Sequence, residues 1–199
     1  MEVLIENNKE TFLKILRENV KRDGVEKLID YLQKSDFFTA PASTQYHLSY
    51  PGGLCEHSLN VYYRLRKLCD ENARGDFYPT DETIAIVSLL HDLCKIGLYK
   101  HVRKSRKTGE FYPNGKPIWE DYDGYEFEET LPYGHGEKSV YIASGFIRLT
   151  REEAMAIRWH MGPWMTEDNR DVGKAFEMYR LAVLNHIADM EASYLDEER

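Results

Sequence analysis

The 199-residue chain carries 26 Lys and Arg against 34 Asp and Glu, a net charge of −8, with 42% apolar and 30% charged residues. This is the composition of a globular domain long enough for one sizeable core and a cleft, and its acidic balance weighs against sequence-independent coating of nucleic acid through a broad basic surface. No apolar run approaches the roughly 20 residues that span a bilayer, and Met1-Glu2-Val3-Leu4-Ile5-Glu6-Asn7 lacks the basic-then-apolar pattern of a secretory signal, so the expected location is cytoplasmic, with no membrane partner.

Val3, Leu4, Phe12, Ile15 and Leu16 are spaced for an amphipathic helix over 3–18, and Val25, Leu28, Ile29 and Leu32 for a second over 24–34. Residues 1–40 therefore read as packing helices, closed by Ser35-Asp36 and Pro41. The stretch from Pro41 to Gly53 reads as a loop, in which Gly52-Gly53 permits a tight entry into a helix over 54–71. His57 falls on the apolar face of that helix, where a lone histidine is more often a satisfied core residue than a ligand.

Thr80 or Asp81 can cap the next helix, whose apolar run from Thr83 to Leu93 is expected to continue to about Lys95 and stop at Gly97. His91 and Asp92 sit side by side in it, and burying such a pair is costly unless the groups are paired or hold a metal. Cys55, Cys69 and Cys94 form no C-x-x-C pair, and the expectation is buried free thiols. Lys100, His101, Arg103, Lys104, Arg106 and Lys107 then form a basic cluster, read either as a solvated loop or as a patch for an anionic ligand. Thr108-Gly109 and Asn114-Gly115, amid aromatic residues, predict a β-hairpin insertion over 108–127 on a helical body.

His135 lies between Gly134 and Gly136, which suggests backbone pressed close to something, and opens a helix carrying Val140, Ile142, Ala143 and Phe146. Thr150-Arg151-Glu152-Glu153 spells a capping box for a helix with His160 in its last turn. A final helix is expected from about Val172 to Tyr194, with Asp189 inside its apolar stripe. His57, the adjacent His91 and Asp92, His135, His160 and Asp189 thus come from five predicted helices, as in bundles that build a metal site from facing helices. Imidazole with carboxylate suits Mn, Fe, Ni, Co or Zn better than calcium, and six such residues exceed one tetrahedral ion and point to two.

Gly52-Gly53-Leu54-Cys55-Glu56-His57-Ser58-Leu59, His91-Asp92-Leu93-Cys94-Lys95-Ile96 and His186-Ile187-Ala188-Asp189 together resemble the HD-domain superfamily of metal-dependent phosphohydrolases, over most of residues 40–195. The first stretch is similar to one in HD-domain 3′-to-5′ exoribonucleases, whose separate nucleic-acid-binding domain is expected to be missing here. Neither the long guanosine-tetraphosphate hydrolase pattern nor the Gly-Tyr-Pro signature of cyclic-dinucleotide phosphodiesterases is found. The resemblance implies a mainly α helical bundle with its metal-binding core over 41–195, a first ion on His57, His91, Asp92 and Asp189, and a second on His135 and His160 with Asp92 as bridge. It also implies a phosphohydrolase or phosphodiesterase with a small phosphorylated substrate, a nucleotide or a short nucleic acid, and as the alternative a di-iron oxygenase of the same superfamily. Lys95, one helical turn past His91, is the expected catalytic and substrate-binding cation, as readily a surface charge by its sequence alone; Lys138, Arg103 and Lys104 are further substrate-binding candidates, each read more readily as a surface charge.

Overall fold

The computed structural model describes residues 2–75, 77–165 and 169–197. Among these residues eight helices and one two-stranded sheet form: α1 (Glu2–Asn19), α2 (Val25–Lys34), α3 (Gly53–Glu71), α4 (Asp81–Leu90), β1 (Tyr99–Phe111), β2 (Pro117–Phe127), α5 (His135–Ser144), α6 (Arg151–Arg158), α7 (Asn169–Met178) and α8 (Arg180–Glu191). The mainly α architecture with a hairpin insertion is the one expected. No helix among the described residues is long and apolar enough to cross a membrane.

Helix α4 is the axis of the bundle because every residue from Ile84 to Leu90 is buried, and a helix apolar on all sides must be surrounded. α3 packs against α4 and α8, α6 packs against α4, α5 and α8, and α1 lies across α3 and α4. Phe12, Leu16, Leu28, Ile29 and Leu32 close the core from the N-terminal helices, with Phe12 and Phe37 rings 5.0 Å apart. Thr80 caps α4 through Thr83 N at 3.1 Å, and the expected capping box of Thr150 and Glu153 opens α6.

Glu153 does more than cap. Its fully buried carboxylate takes two hydrogen bonds from the Arg22 guanidinium, both 2.7 Å, and one of 2.8 Å from the Thr83 hydroxyl. One carboxylate therefore ties the start of α6 to α4 and to the turn before α2.

Three expectations need correction. The α4 run does not stay helical to Lys95: it ends at Leu90, Asp92 has φ −107°, and Leu93–Lys95 form one 3-10 turn. In a continuous helix neighbouring side chains point about 100° apart, and the break lets His91 and Asp92 face the same centre. The last helix is two helices, broken at extended Tyr179 and followed by a π turn over Ala192–Asp196.

The hairpin is also longer than 108–127. The basic cluster is not a loop but strand β1, paired from Tyr99↔Phe127 to Phe111↔Pro117 with an irregularity between Lys107 and Phe111. The cause is cross-strand complementarity: Arg103 lies 3.4 Å from Asp121, Arg106 lies 2.7 Å from Glu120, and Lys107 sits over the Trp119 ring. Its turn is at Asn114-Gly115 as expected, with Gly115 at φ +77°. Phe111, Tyr112, Trp119 and Phe127 are exposed and neither pack on the helices nor line a cleft.

Candidate metal centre

Six of the residues singled out in the sequence meet at one point. His57 comes from the first half of α3, His91 and Asp92 from the break after α4, His135 from the first residue of α5, His160 from the turn after α6, and Asp189 from α8. His57, His91, Asp92, His160 and Asp189 are buried, and His135 is partly exposed.

The two oxygens of Asp92 divide these donors. Oδ2 faces His57 Nε2 and His91 Nε2, each at 3.5 Å, while Oδ1 faces His135 Nε2 at 3.1 Å and His160 Nε2 at 3.5 Å. Asp189 Oδ1 joins the first set, 3.2 Å from His57 Nε2. Donor atoms of His57, His91 and Asp189 all lie within 4.8 Å of one another, as do those of His91, Asp92 and His160.

Each imidazole is aimed by what its other nitrogen touches, which fixes the tautomer. His91 Nδ1 donates to Ser88 O at 2.6 Å and His160 Nδ1 to Ile157 O at 2.7 Å, so both are locked by a carbonyl three residues back. His57 Nδ1 donates to the Glu197 carboxylate at 2.9 Å, and His135 Nδ1 lies 3.3 Å from Cys94 Sγ. The four Nε2 atoms are left pointing at Asp92 and at one another. His160 Nε2 is buried with no hydrogen-bond partner, a costly state for a polar atom unless it holds something. The fit to divalent transition metals follows from this donor set: imidazole nitrogens and carboxylate oxygens converge, and two ligands of one ion at about 2.1 Å each lie about 3.0–3.4 Å apart.

The electrostatics suit the same purpose. Burial resists ionisation of Asp92, yet the Lys95 ammonium, with Nζ 2.7 Å from Oδ2, and the surrounding imidazoles hold its carboxyl well below the usual range. Burial likewise disfavours the Lys95 charge, and Asp92 outweighs it, so the ammonium is held above the ordinary lysine value. Burial lowers His91 and His135. At His57 burial is overcome by the charges and hydrogen bonds of Glu197 and Asp189, which raise it to about 10.

A cavity of about 400 Å³ opens onto this cluster, lined by His57, Asp92, Lys95, His135, His160 and Asp189 together with Tyr99, Met161 and Met190. Lys95 is thus placed at the centre. The other cationic candidates lie elsewhere: Lys138 is buried on Glu129 at 2.7 Å, Arg103 faces Asp121 across the ribbon, Lys104 donates to Tyr125 O at 2.6 Å, and none of the three lines the cavity. Only Tyr99, at the root of β1, reaches it from the insertion. Lys95 is the single Lys or Arg among the lining residues.

The sequence assigned no role to His47 or Glu197, and His186 entered only as part of the stretch that ends in Asp189. His47 and His186 line the cavity, and His186 Nδ1 donates to the His160 carbonyl at 2.6 Å. The signal for His47 was its place six residues before Gly53, where Gly52 at φ +86° and Gly53, whose Cβ would meet Leu48 O at 2.1 Å, fold the loop back onto α3. Glu197 had no sequence signal, since it sits in an acidic run beside Asp196. All three cysteines are buried and free, as expected.

Comparison with known proteins adds one match. A family model described as HD domain matches residues 54–196, well over half of the chain. No curated protein and no solved structure matches it.

Proposed function

We propose that this chain, which belongs to the HD domain family, is a phosphohydrolase that cleaves a phosphoester or phosphoanhydride bond in a nucleotide-sized substrate. The family consists mostly of metal-dependent hydrolases, and His and Asp groups able to hold a metal are present here. The observation that carries the finer reading is Lys95, a cation on the cavity wall 2.7 Å from an Asp92 whose oxygens divide, one toward His57 and His91, the other toward His135 and His160. A carboxylate shared in this way could serve two ions: His57, His91, Asp92 and Asp189 would hold the first, and Asp92, His135 and His160 the second. Manganese, iron, nickel, cobalt or zinc held there would supply Lewis acidity and an activated water.

The chain's own residues do the rest. Lys95, at the cavity wall and 2.7 Å from Asp92 Oδ2, offers an ammonium donor to a phosphate oxygen beside the bridging carboxylate. Ala42, Met161 and Met190 furnish an apolar wall and Tyr46 and Tyr194 two aromatic rings for the remainder of the substrate. The volume of about 400 Å³ lies in the range of about 300–1,000 Å³ typical of small-molecule sites. Lys138, Arg103 and Lys104 are committed to neighbours and are left out of the substrate-binding set.

The test is a panel of mononucleotides, cyclic nucleotides, dinucleotides and short RNA, assayed with the metal-stripped protein reloaded with manganese, iron, cobalt or nickel, in air and under argon. Phosphate or nucleotide release in both atmospheres supports the reading. Turnover that requires dioxygen would replace it with di-iron oxygenase chemistry.

A further inference from the structure

We propose that Glu197 is a positioning residue of the metal centre: its carboxylate fixes the tautomer and aim of His57, and the turn that carries it acts as a clasp on α3. The proposal rests on reading His57 as a metal ligand and is independent of the reaction catalysed.

Glu197 lies one residue past the stretch that the family model matches, 54–196. It is nevertheless buried, and its carboxylate is taken up by three neighbours, two of which, His57 and His47, belong to the centre or to the cavity wall. Oε1 accepts from His57 Nδ1 at 2.9 Å and from Asn60 Nδ2 at 3.0 Å, and Oε2 is in short contact with His47 Nδ1. His57 and Asn60 are on α3, while His47 is on the preceding loop and lines the cavity. One side chain thus joins a candidate ligand to the cavity wall.

The π turn Ala192–Asp196 delivers it. The wider turn carries the chain past the end of α8 and back toward α3, where Arg64 pairs with Asp196 and, at 3.3 Å, with Glu191. π turns inside helical segments are found at functional sites because they re-aim the residues that follow.

The four clustered imidazoles differ in their anchors. His91 and His160 are held by backbone carbonyls and His135 by a thiol, and only His57 is held by a carboxylate. A carboxylate on the distal nitrogen fixes ring orientation and makes the ligating nitrogen a better donor, and losing such a partner lowers metal affinity about 10- to 100-fold. His57 is therefore the ligand whose strength the chain adjusts, and Glu197 is the group that does so.

The experiment loads metal-free wild type, Glu197→Gln and Glu197→Ala with cobalt(II), reading affinity by calorimetry, the visible cobalt spectrum, and the melting temperature of the metal-free form. We expect a loss of about 10-fold or more in the affinity of the tighter site for Glu197→Ala and a smaller loss for Glu197→Gln, with a shifted cobalt spectrum in both and, because the carboxylate is buried and paired, a lowered melting temperature of the metal-free form. Affinity and spectrum equal to wild type in both variants would overturn the proposal. Should neither variant fold, wild type labelled with ¹⁵N-histidine and loaded with zinc decides: His57 protonated at Nδ1 and metal-bound at Nε2 supports the proposal, and ligation through Nδ1 overturns it. A wild type that binds metal but turns over nothing in the substrate panel would sink the phosphohydrolase reading and leave these outcomes standing.

Discussion

His57 and His91 hold their Nε2 atoms 3.1 Å apart inside the core. With both Nδ1 atoms donating outward, two lone pairs would face each other there, so the metal-free chain must keep a proton between them. The shifts agree on its place: His57 is raised to about 10 by Glu197 and Asp189 against burial, and His91 is lowered by burial. A metal entering this position has to displace that proton. Binding should release about one proton per ion at the first site, and affinity should fall about tenfold for each pH unit below the His57 value of about 10. Calorimetry in two buffers of different ionisation enthalpy at pH 7 and 8 measures both; proton release near zero would remove His57 from the ligand set.

Asp92 is expected to be the residue whose loss empties both positions. Asp92→Asn keeps the shape but not the charge, and we expect metal content below a tenth of wild type and no turnover above background. His160→Ala should behave differently, lowering stoichiometry toward one ion with the fold retained, because His160 faces only Oδ1. Elemental analysis of dialysed protein distinguishes the two. Equal loss in both variants would mean one shared position instead of two.

The backbone beside His135 gives a steric test. Gly136 lies so close to α6 that a Cβ there would come within 2.1 Å of the Arg158 carbonyl oxygen. Gly136→Ala must push the start of α5 away from α6, and His135 with it. We expect a destabilisation of about 1–3 kcal/mol together with weaker binding of the second ion, read by urea unfolding and by metal titration. Retention of both would show that the helix start moves without cost.

The sequence made the ligands legible because they fall on strongly patterned helices. His57 lies on an apolar stripe, His135 between two glycines, and the capping box that precedes His160 closes as written. What it hid were features made by contacts distant in the chain. The break at Asp92 comes from the demand that both His91 and Asp92 face one centre, which helical periodicity does not encode. Strand β1 forms from its charge pairing with β2, so its basic residues looked like a loop in isolation. Glu197 acquires its role only where the π turn brings it against α3, and Lys138 is taken by Glu129 in a contact that no local pattern announces.

Glu153 supplies a prediction away from the centre. Burial opposes its charge, but the bonds from Arg22, Thr150 and Thr83 keep its carboxyl below the ordinary 4.5. A depressed carboxylate contributes stability that is fully present above 4.5 and lost as pH falls through the lower folded value. Breaking a buried pair costs about 3–5 kcal/mol, and because Arg22 keeps some solvent contact we expect the low end, about 3 kcal/mol, for Glu153→Gln at pH 7. Urea unfolding should show that gap narrowing once the pH drops below 4.5. A gap independent of pH would assign the effect to packing.

The most direct test of the metal centre is anomalous scattering from a crystal soaked with manganese, measured at two wavelengths across its absorption edge. Two anomalous peaks are expected to flank the Asp92 carboxylate, one bounded by His57, His91 and Asp189 and the other by His135 and His160. Peaks absent from that position, or one elsewhere on the chain with these six side chains unmoved, would contradict this expectation.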